Sequence, residues 1–162
     1  MAAQIGAPAA AVRAHEELFA YWSVRRRGAA LPGRRDIAPE GFKRLLPAIS
    51  LVDVIRAPGL DYRVRLAGTG LHAVFGREVT GRSLAEIYNS TATDYWRAEL
   101  GAVVERRRPA AGVHNLGWRG APHLSVVWLR LPLAADGRNV DMLLGYDAIV
   151  GLGAVASGIR AA

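Results

Sequence analysis

The sequence predicts an α+β chain in the order helix, two strands, helical insert, three strands. Three observations predict it. First, Tyr62, Val64 and Leu66 alternate with Arg63 and Arg65, the pattern of a strand with one dry and one wet face. Second, the apolar segment Leu71 to Phe75 lies between Gly68-Thr69-Gly70 and Gly76, with room for only a short helix. The turn Thr80-Gly81-Arg82 follows, and Ser83 with Glu86 forms a capping box that opens another short helix. Third, Arg119-Gly120 and Asp136-Gly137 divide the C-terminal part into three strand-like segments, the second pair being a strong hairpin signal. A strand that runs into a string of short helical turns wraps a pocket.

Taken in order, residues 1–9 are rich in Ala, Gly and Pro and read as a disordered tail. Over residues 10–28 an amphipathic helix is expected, with Val12, His15, Phe19 and Trp22 at helical spacing, Leu18 beside them, and Gly28 as its end. That face either packs on the chain's own sheet or pairs with a second copy. The second reading makes Val12, Leu18, Phe19 and Trp22 a dimer or partner interface, since aromatic pairs such as Tyr21-Trp22 serve as interface anchors. Leu31 to Ile37 is a loop. Pro39 suits the first position of a short helix through Leu46, which Pro47 ends.

Ile49 to Arg56 is the first strand, with Ile49, Leu51, Asp53 and Ile55 on one face and Val52 and Val54 on the other. Both faces are largely apolar, so both must be covered. The short helices can cover one, and the N-terminal helix the other. Pro58-Gly59 turns the chain into the second strand, Leu60 to Ala67. After the insert, Thr91 and Asp94 are expected to cap a longer helix with the stripe Trp96, Leu100, Val103 and Val104, ended by Pro109. The last strands are read as Ala110 to Trp118, His123 to Leu133 and Val140 to Ile149, followed by a flexible tail at 151–162. No internal repeat or long linker divides residues 10–150, which read as one domain with its core at 48–149.

With 162 residues the chain suffices for one domain with a real core. Its hydrophobic content of 51% indicates a globular chain. The absence of cysteine excludes disulfides, thiolate zinc sites and thiol catalysis. No signal-peptide pattern opens the sequence and no apolar run approaches the ~20 residues that span a bilayer, so a cytoplasmic protein is expected, with no membrane partner. The net charge is +7, and every basic residue except Lys43 is arginine. The arginines are spread along the chain. The clusters Arg25-Arg26-Arg27 and Arg106-Arg107-Arg108 each fall at a predicted helix end, where cations complement the dipole, so a nucleic-acid partner is not expected.

The run RLAGTGLHAVFGREVTGRSLAEIY resembles the heart of a PAS domain, and more narrowly the small stand-alone bacterial PAS family with an N-terminal Tyr-Trp helix. Tyr21-Trp22, Pro32, Arg35-Asp36-Ile37, Pro39, Leu45-Leu46-Pro47 and Asp53-Val54 extend the resemblance over roughly residues 18–148. It implies a five-stranded antiparallel sheet with short helices on one face, and a signalling role. The family places a capping polar residue before Pro39, where this chain has Ala38, leaving Asp36 as a candidate substitute cap.

Catalysis needs a nucleophile with its base, or paired carboxylates within reach. Asp53 lies on an apolar strand face and reads as the partner of an arginine or a backbone group; Asp61, Asp141 and Asp147 sit near strand ends, where solvated carboxylates are ordinary. No catalytic residue is assigned. Of the four histidines, His72 is the only candidate axial ligand for haem, and the longer helix that usually supplies one has no histidine; haem is not expected. His114 and His123 become diagonal neighbours if the turn centres on Arg119-Gly120, which without further ligands makes no metal site. Flavin photochemistry lacks its cysteine, and Gly68-Thr69-Gly70 lacks the rest of a phosphate loop, so no cofactor is expected.

What remains is a pocket. Its expected lining is Val64, Leu66, Leu71, Phe75, Leu84, Ile87, Trp96 and Leu100, with Thr69 and Tyr95 as polar anchors, which suits a small, mostly apolar metabolite. The same residues also suit a filled core. The functional expectation is a non-catalytic sensory or adaptor module, a homodimer that signals through a separate protein. The alternatives are a small isomerase or cyclase on a cone-shaped α+β fold, whose helices precede the sheet instead of interrupting it, and a structural homodimer without ligand.

Overall fold

The computed structural model describes residues 8–151; the tails expected at either end lie largely outside these residues. Five strands form one antiparallel sheet in the order β2-β1-β5-β4-β3. The strands are β1 (Ile49–Ile55), β2 (Asp61–Ala67), β3 (Ala110–Leu116), β4 (Ala121–Leu133) and β5 (Met142–Gly151). Three helices, α2 (Leu71–Phe75), α3 (Leu84–Ile87) and α4 (Ser90–Arg106), interrupt the strands after β2, and α1 (Pro8–Ser23) precedes them all. This is the expected element order on one sheet. The first and last strands in sequence meet at its centre, where β1 pairs with β5 from Ile49 opposite Tyr146 to Asp53 opposite Met142.

Each face of the sheet has its own cover. Along β4 and β5 the side chains alternate, so Val127, Tyr146 and Val150 face one way and Trp128, Arg130 and Asp147 the other. α1 covers the first face: Ala11 packs with Val127 and Val150, and His15 meets Tyr146 edge-on at 5.4 Å. The α2–α4 insert covers the second.

The buried stripe of α1 is Ala11, Ala14, Leu18 and Trp22, one notch round from the stripe read in the sequence. The small side chains of Ala11 and Ala14 let the helix lie close on the sheet, and this rotates Val12 and Phe19 outward, where they are 38% and 46% exposed. Leu18 and Trp22 are already enclosed within the chain, and the Trp22 indole donates to the Pro132 carbonyl at 2.9 Å. Of the four residues expected at a seam, these two therefore belong to the core. The helix ends at Ser23, short of Gly28, which instead turns a tight loop closed by the bridge between Arg27 and Ala30 at φ +63.

No side chain among the described residues caps the segment at Ala38; Tyr21 instead anchors the Ala38 backbone. Its hydroxyl accepts from the Ala38 amide at 2.7 Å and donates to the Ala38 carbonyl at 2.9 Å, just before the 3-10 segment Pro39–Ala48. Asp36 caps a different turn, its carboxylate accepting from the Gly33 amide at 2.8 Å. The longer helix α4 also starts differently from expectation: Asn89, not Thr91, is its cap, accepting from the Ala92 amide at 2.9 Å. The Ser83–Glu86 box at α3 forms as read, with the Ser83 amide donating to Glu86 at 2.7 Å.

Candidate functional site

The site lies between the sheet and the short helices. β1 contributes Ser50 and Val52, β2 contributes Val64 and Ala67, and β4 contributes Arg130. Phe75 of α2, Leu84 and Ile87 of α3, Tyr88, and Trp96 and Leu100 of α4 close over them. The space they leave is about 20 Å³, room for one water molecule. Of the two sequence readings, an open apolar cavity and a filled interior, the geometry is close to the second.

The floor of that space is polar. Arg130 Nη2 donates to Asp147 Oδ1 at 2.9 Å, and the two side chains are 5% and 2% exposed. Arg130 Nη1 also donates to the carbonyls of Leu129 at 2.9 Å and Tyr146 at 3.3 Å. The guanidinium lies 4.9 Å from the Trp96 ring centre and 5.8 Å from that of Trp128, so aromatic faces replace part of its hydration. Gly145 permits this path across the strand: a Cβ there would stand 3.0 Å from Arg130 Nη1 and would run into the Ser50 hydroxyl.

The pair is incompletely satisfied. Asp147 Oδ2 is buried and has no hydrogen-bond partner among the described residues. Burial pushes the Asp147 carboxyl above its ordinary value, and Arg130 opposes that only in part. Burial, reinforced by the Asp147 charge, likewise pushes the Tyr88 phenol far up, so Tyr88 is a neutral hydroxyl.

The roof is latched at its far end. Arg119, in the turn between β3 and β4, donates to the Ala73 carbonyl of α2 at 2.8 Å, and Trp118 meets Tyr88 edge-on at 4.7 Å. Tyr88 in turn stacks on Trp96 at 5.9 Å. A displacement of α2 and α3 would therefore be felt by Trp96, directly above Arg130.

Six expected lining residues, Val64, Phe75, Leu84, Ile87, Trp96 and Leu100, come together here. Leu71 is buried but away from the void, and Thr69 is exposed. Tyr95 turns toward β3: its hydroxyl accepts from the Trp128 indole at 3.0 Å and its ring stacks on His114 at 4.2 Å. Leu66 is 45% exposed on the opposite face. The reason is a bulge, since Leu51 pairs with Leu66 but Val52 pairs with Val64, which leaves Arg65 as the extra residue. The bulge reverses the alternation, so Ala67 points inward where Leu66 was expected.

Sequence reasoning missed Ser50, Val52, Ala67, Tyr88 and Arg130, and misplaced Asp147, which sits within β5 and not at a solvated strand end. The signal for Arg130 was present: it is the one charge in the apolar run Val126 to Leu133 and needs a partner on the neighbouring strand. Asp53 has the arginine partner expected of it, Arg65 donating to both its oxygens at 2.8 and 3.1 Å on the outer face. His72 is exposed on α2, outside the interior. The pairing sets His114 opposite Val126 and leaves His123 exposed, and no group of three His, Asp or Glu suited to a metal occurs among the described residues. No helix among them is long and apolar enough to cross a membrane.

A family model described as PAS domain matches residues 10–147. Among solved structures, a light-oxygen-voltage domain from work with a flavin analogue is 19% identical, with 72% of this chain and 87% of that one covered and a TM-score of 0.52. The PAS domain of a Colwellia psychrerythraea protein is 11% identical, with 69% and 96% covered and a TM-score of 0.49. The light-oxygen-voltage protein of Rhodobacter sphaeroides is 15% identical, with 87% and 70% covered and a TM-score of 0.49. No curated protein matches the chain.

Proposed function

Because the chain belongs to the PAS domain family, we propose that it is a non-catalytic sensory or adaptor module whose input is read at the Arg130–Asp147 floor and whose output passes to a separate protein. One observation carries this reading: a buried ion pair whose arginine lines a void under a roof of short helices, and whose carboxylate has one oxygen without a partner among the described residues. Filling an interior does not call for such a pair, because apolar side chains of similar volume are as stable or more so.

The chemistry of the floor selects the input. Arg130, Ser50 and Tyr88 bring a guanidinium and two hydroxyl-bearing side chains to the lining, and Arg130 ties that lining to Asp147, whose Oδ2 has no partner among the described residues. A small neutral molecule with an N–H or O–H group answers this better than the mostly apolar metabolite suggested by the helix residues. At about 20 Å³ the closed form holds no more than a water, so anything larger requires α2 and α3 to move outward. Binding then biases an equilibrium between closed and open roofs.

Native mass spectrometry of the purified chain, joined to a Trp fluorescence screen of small amides, ureas and alcohols, tests the proposal. A retained mass or a saturable response that Asp147→Asn weakens supports it. A chain that retains nothing and responds to none of them is a filled structural core, the reading the small void favours. Dimerisation belongs to the same proposal and is tested by sedimentation of Phe19→Glu and Val12→Glu, the two exposed α1 positions.

A further inference from the structure

The two arginine clusters that read as separate helix ends meet in the fold. Arg26, just past α1, and Arg108, just past α4, line a single open groove of about 620 Å³ together with Phe19, Trp22, Ser23 and Pro109. We propose that this groove docks a short acidic segment of a partner protein, with an apolar side chain of that segment set against Phe19.

The two cations are uncommitted. Arg25 is held by the carbonyls of Asp36 at 3.0 Å and Tyr21 at 2.9 Å, and Arg27 stands 4.0 Å from Asp36. Arg26 and Arg108 make no ion pair or side-chain hydrogen bond with any described residue, and the groove lining contains no carboxylate. The Arg26 guanidinium lies over the Trp22 ring at 5.3 Å from its centre, which holds one face of the group and leaves its edge to a ligand. Two guanidinium groups at one groove fit carboxylates, each able to take two parallel hydrogen bonds.

The apolar element points to a peptide. Phe19 is 46% exposed and packs on Trp22 at 5.9 Å, an aromatic surface beside the two charges. Trp22 itself is 1% exposed, so no row of free aromatic faces is offered for base stacking, as a nucleic-acid strand requires. The groove set against its own copy would bring arginine to arginine with no carboxylate from the lining between them, whereas an acidic segment is drawn in by the same field.

The test is fluorescence anisotropy of the full chain with a fluorescein-labelled peptide of alternating Asp and Glu around a central Leu. Salt-sensitive binding is expected, reduced about tenfold or more by Arg26→Glu or Arg108→Glu, about 1.4 kcal/mol or more, and by a smaller factor in Phe19→Ala. Lys43→Glu, which makes the same change in net charge at an exposed site elsewhere, is expected to retain binding. Circular dichroism confirms folding, and Arg108→Gln serves if the charge reversal unfolds the chain. The proposal is overturned by no binding at low salt, by an equal loss in Lys43→Glu, by a single-stranded oligonucleotide binding more tightly through the same arginines, or by self-association that Arg26→Glu abolishes. The groove and the interior void share no lining residue, so failure here and failure of the interior reading are separable.

Discussion

Arg130 and Asp147 sit on adjacent central strands with Nη2 2.9 Å from Oδ1, and neither side chain is more than 5% exposed. Breaking the pair from one side strands the other charge without water. Arg130→Met is expected to cost roughly 3–5 kcal/mol of stability, whereas Arg130→Met with Asp147→Leu recovers most of that loss. Urea denaturation of the single and double variants measures it. A double variant as unstable as the single one would mean that packing, not charge, is what the site requires.

His15 gives the fold a pH dependence on the opposite face of the sheet. Burial first, and the Arg130 charge second, hold its pKa at about 4 instead of 6.5. Below pH 6.5 the unfolded chain takes up a proton that the folded chain refuses until about pH 4, so stability is complete above 6.5 and is lost as the pH falls across that window. Replacing His15 with Phe keeps an aromatic ring against Tyr146 and removes the titration. The difference between the two stability curves is therefore expected to grow as the pH falls from 6.5 to 4, and parallel curves would rule this out.

The bulge at Arg65 decides which residue of β2 is inside. Ala67→Leu adds volume where about 20 Å³ is free, and is expected to cost roughly 1–3 kcal/mol and to block any ligand response. Leu66→Ser, on the exposed side, is expected to change stability by about 0.5 kcal/mol or less. Denaturant midpoints of the two variants check the order; the reverse order would return Leu66 to the interior.

The element order was legible because each element carries its own local signal. The capping box at Ser83 and Glu86, the alternation from Tyr62 to Val64 and the Asp136-Gly137 turn depend on neighbours in sequence, and all stand where expected. Most of the apolar roof was legible for the same reason, since Leu84, Ile87, Trp96 and Leu100 follow helical spacing. The floor was not. Arg130 and Asp147 are joined only by the β4–β5 register, and Ala67 replaces Leu66 only because β1 forces a bulge, so both are tertiary facts. The α1 face was misread because Ala11 and Ala14 carry little hydrophobic signal, although small residues are what bring a helix close to a sheet.

Tyr21 shows the same dependence on tertiary context and yields a sharp test. Its ring lies between the Arg25 guanidinium, 3.4 Å from the centroid, and Phe42, edge-on at 4.9 Å, while its hydroxyl bonds both polar groups of Ala38. The ring passes over Gly41 so closely that a Cβ there would overlap it. Tyr21→Phe removes only these two hydrogen bonds and is expected to cost about 1–2 kcal/mol, because the Ala38 amide and carbonyl lose their partner. Gly41→Ala forces the whole ring out and is expected to cost more. If overlap with the ring is the cause, the penalty for Gly41→Ala shrinks in a Tyr21→Ala background but persists in Tyr21→Phe, which keeps the ring. Equal penalties in all three backgrounds, measured by thermal unfolding, would place the requirement for Gly41 in its backbone and not in Tyr21.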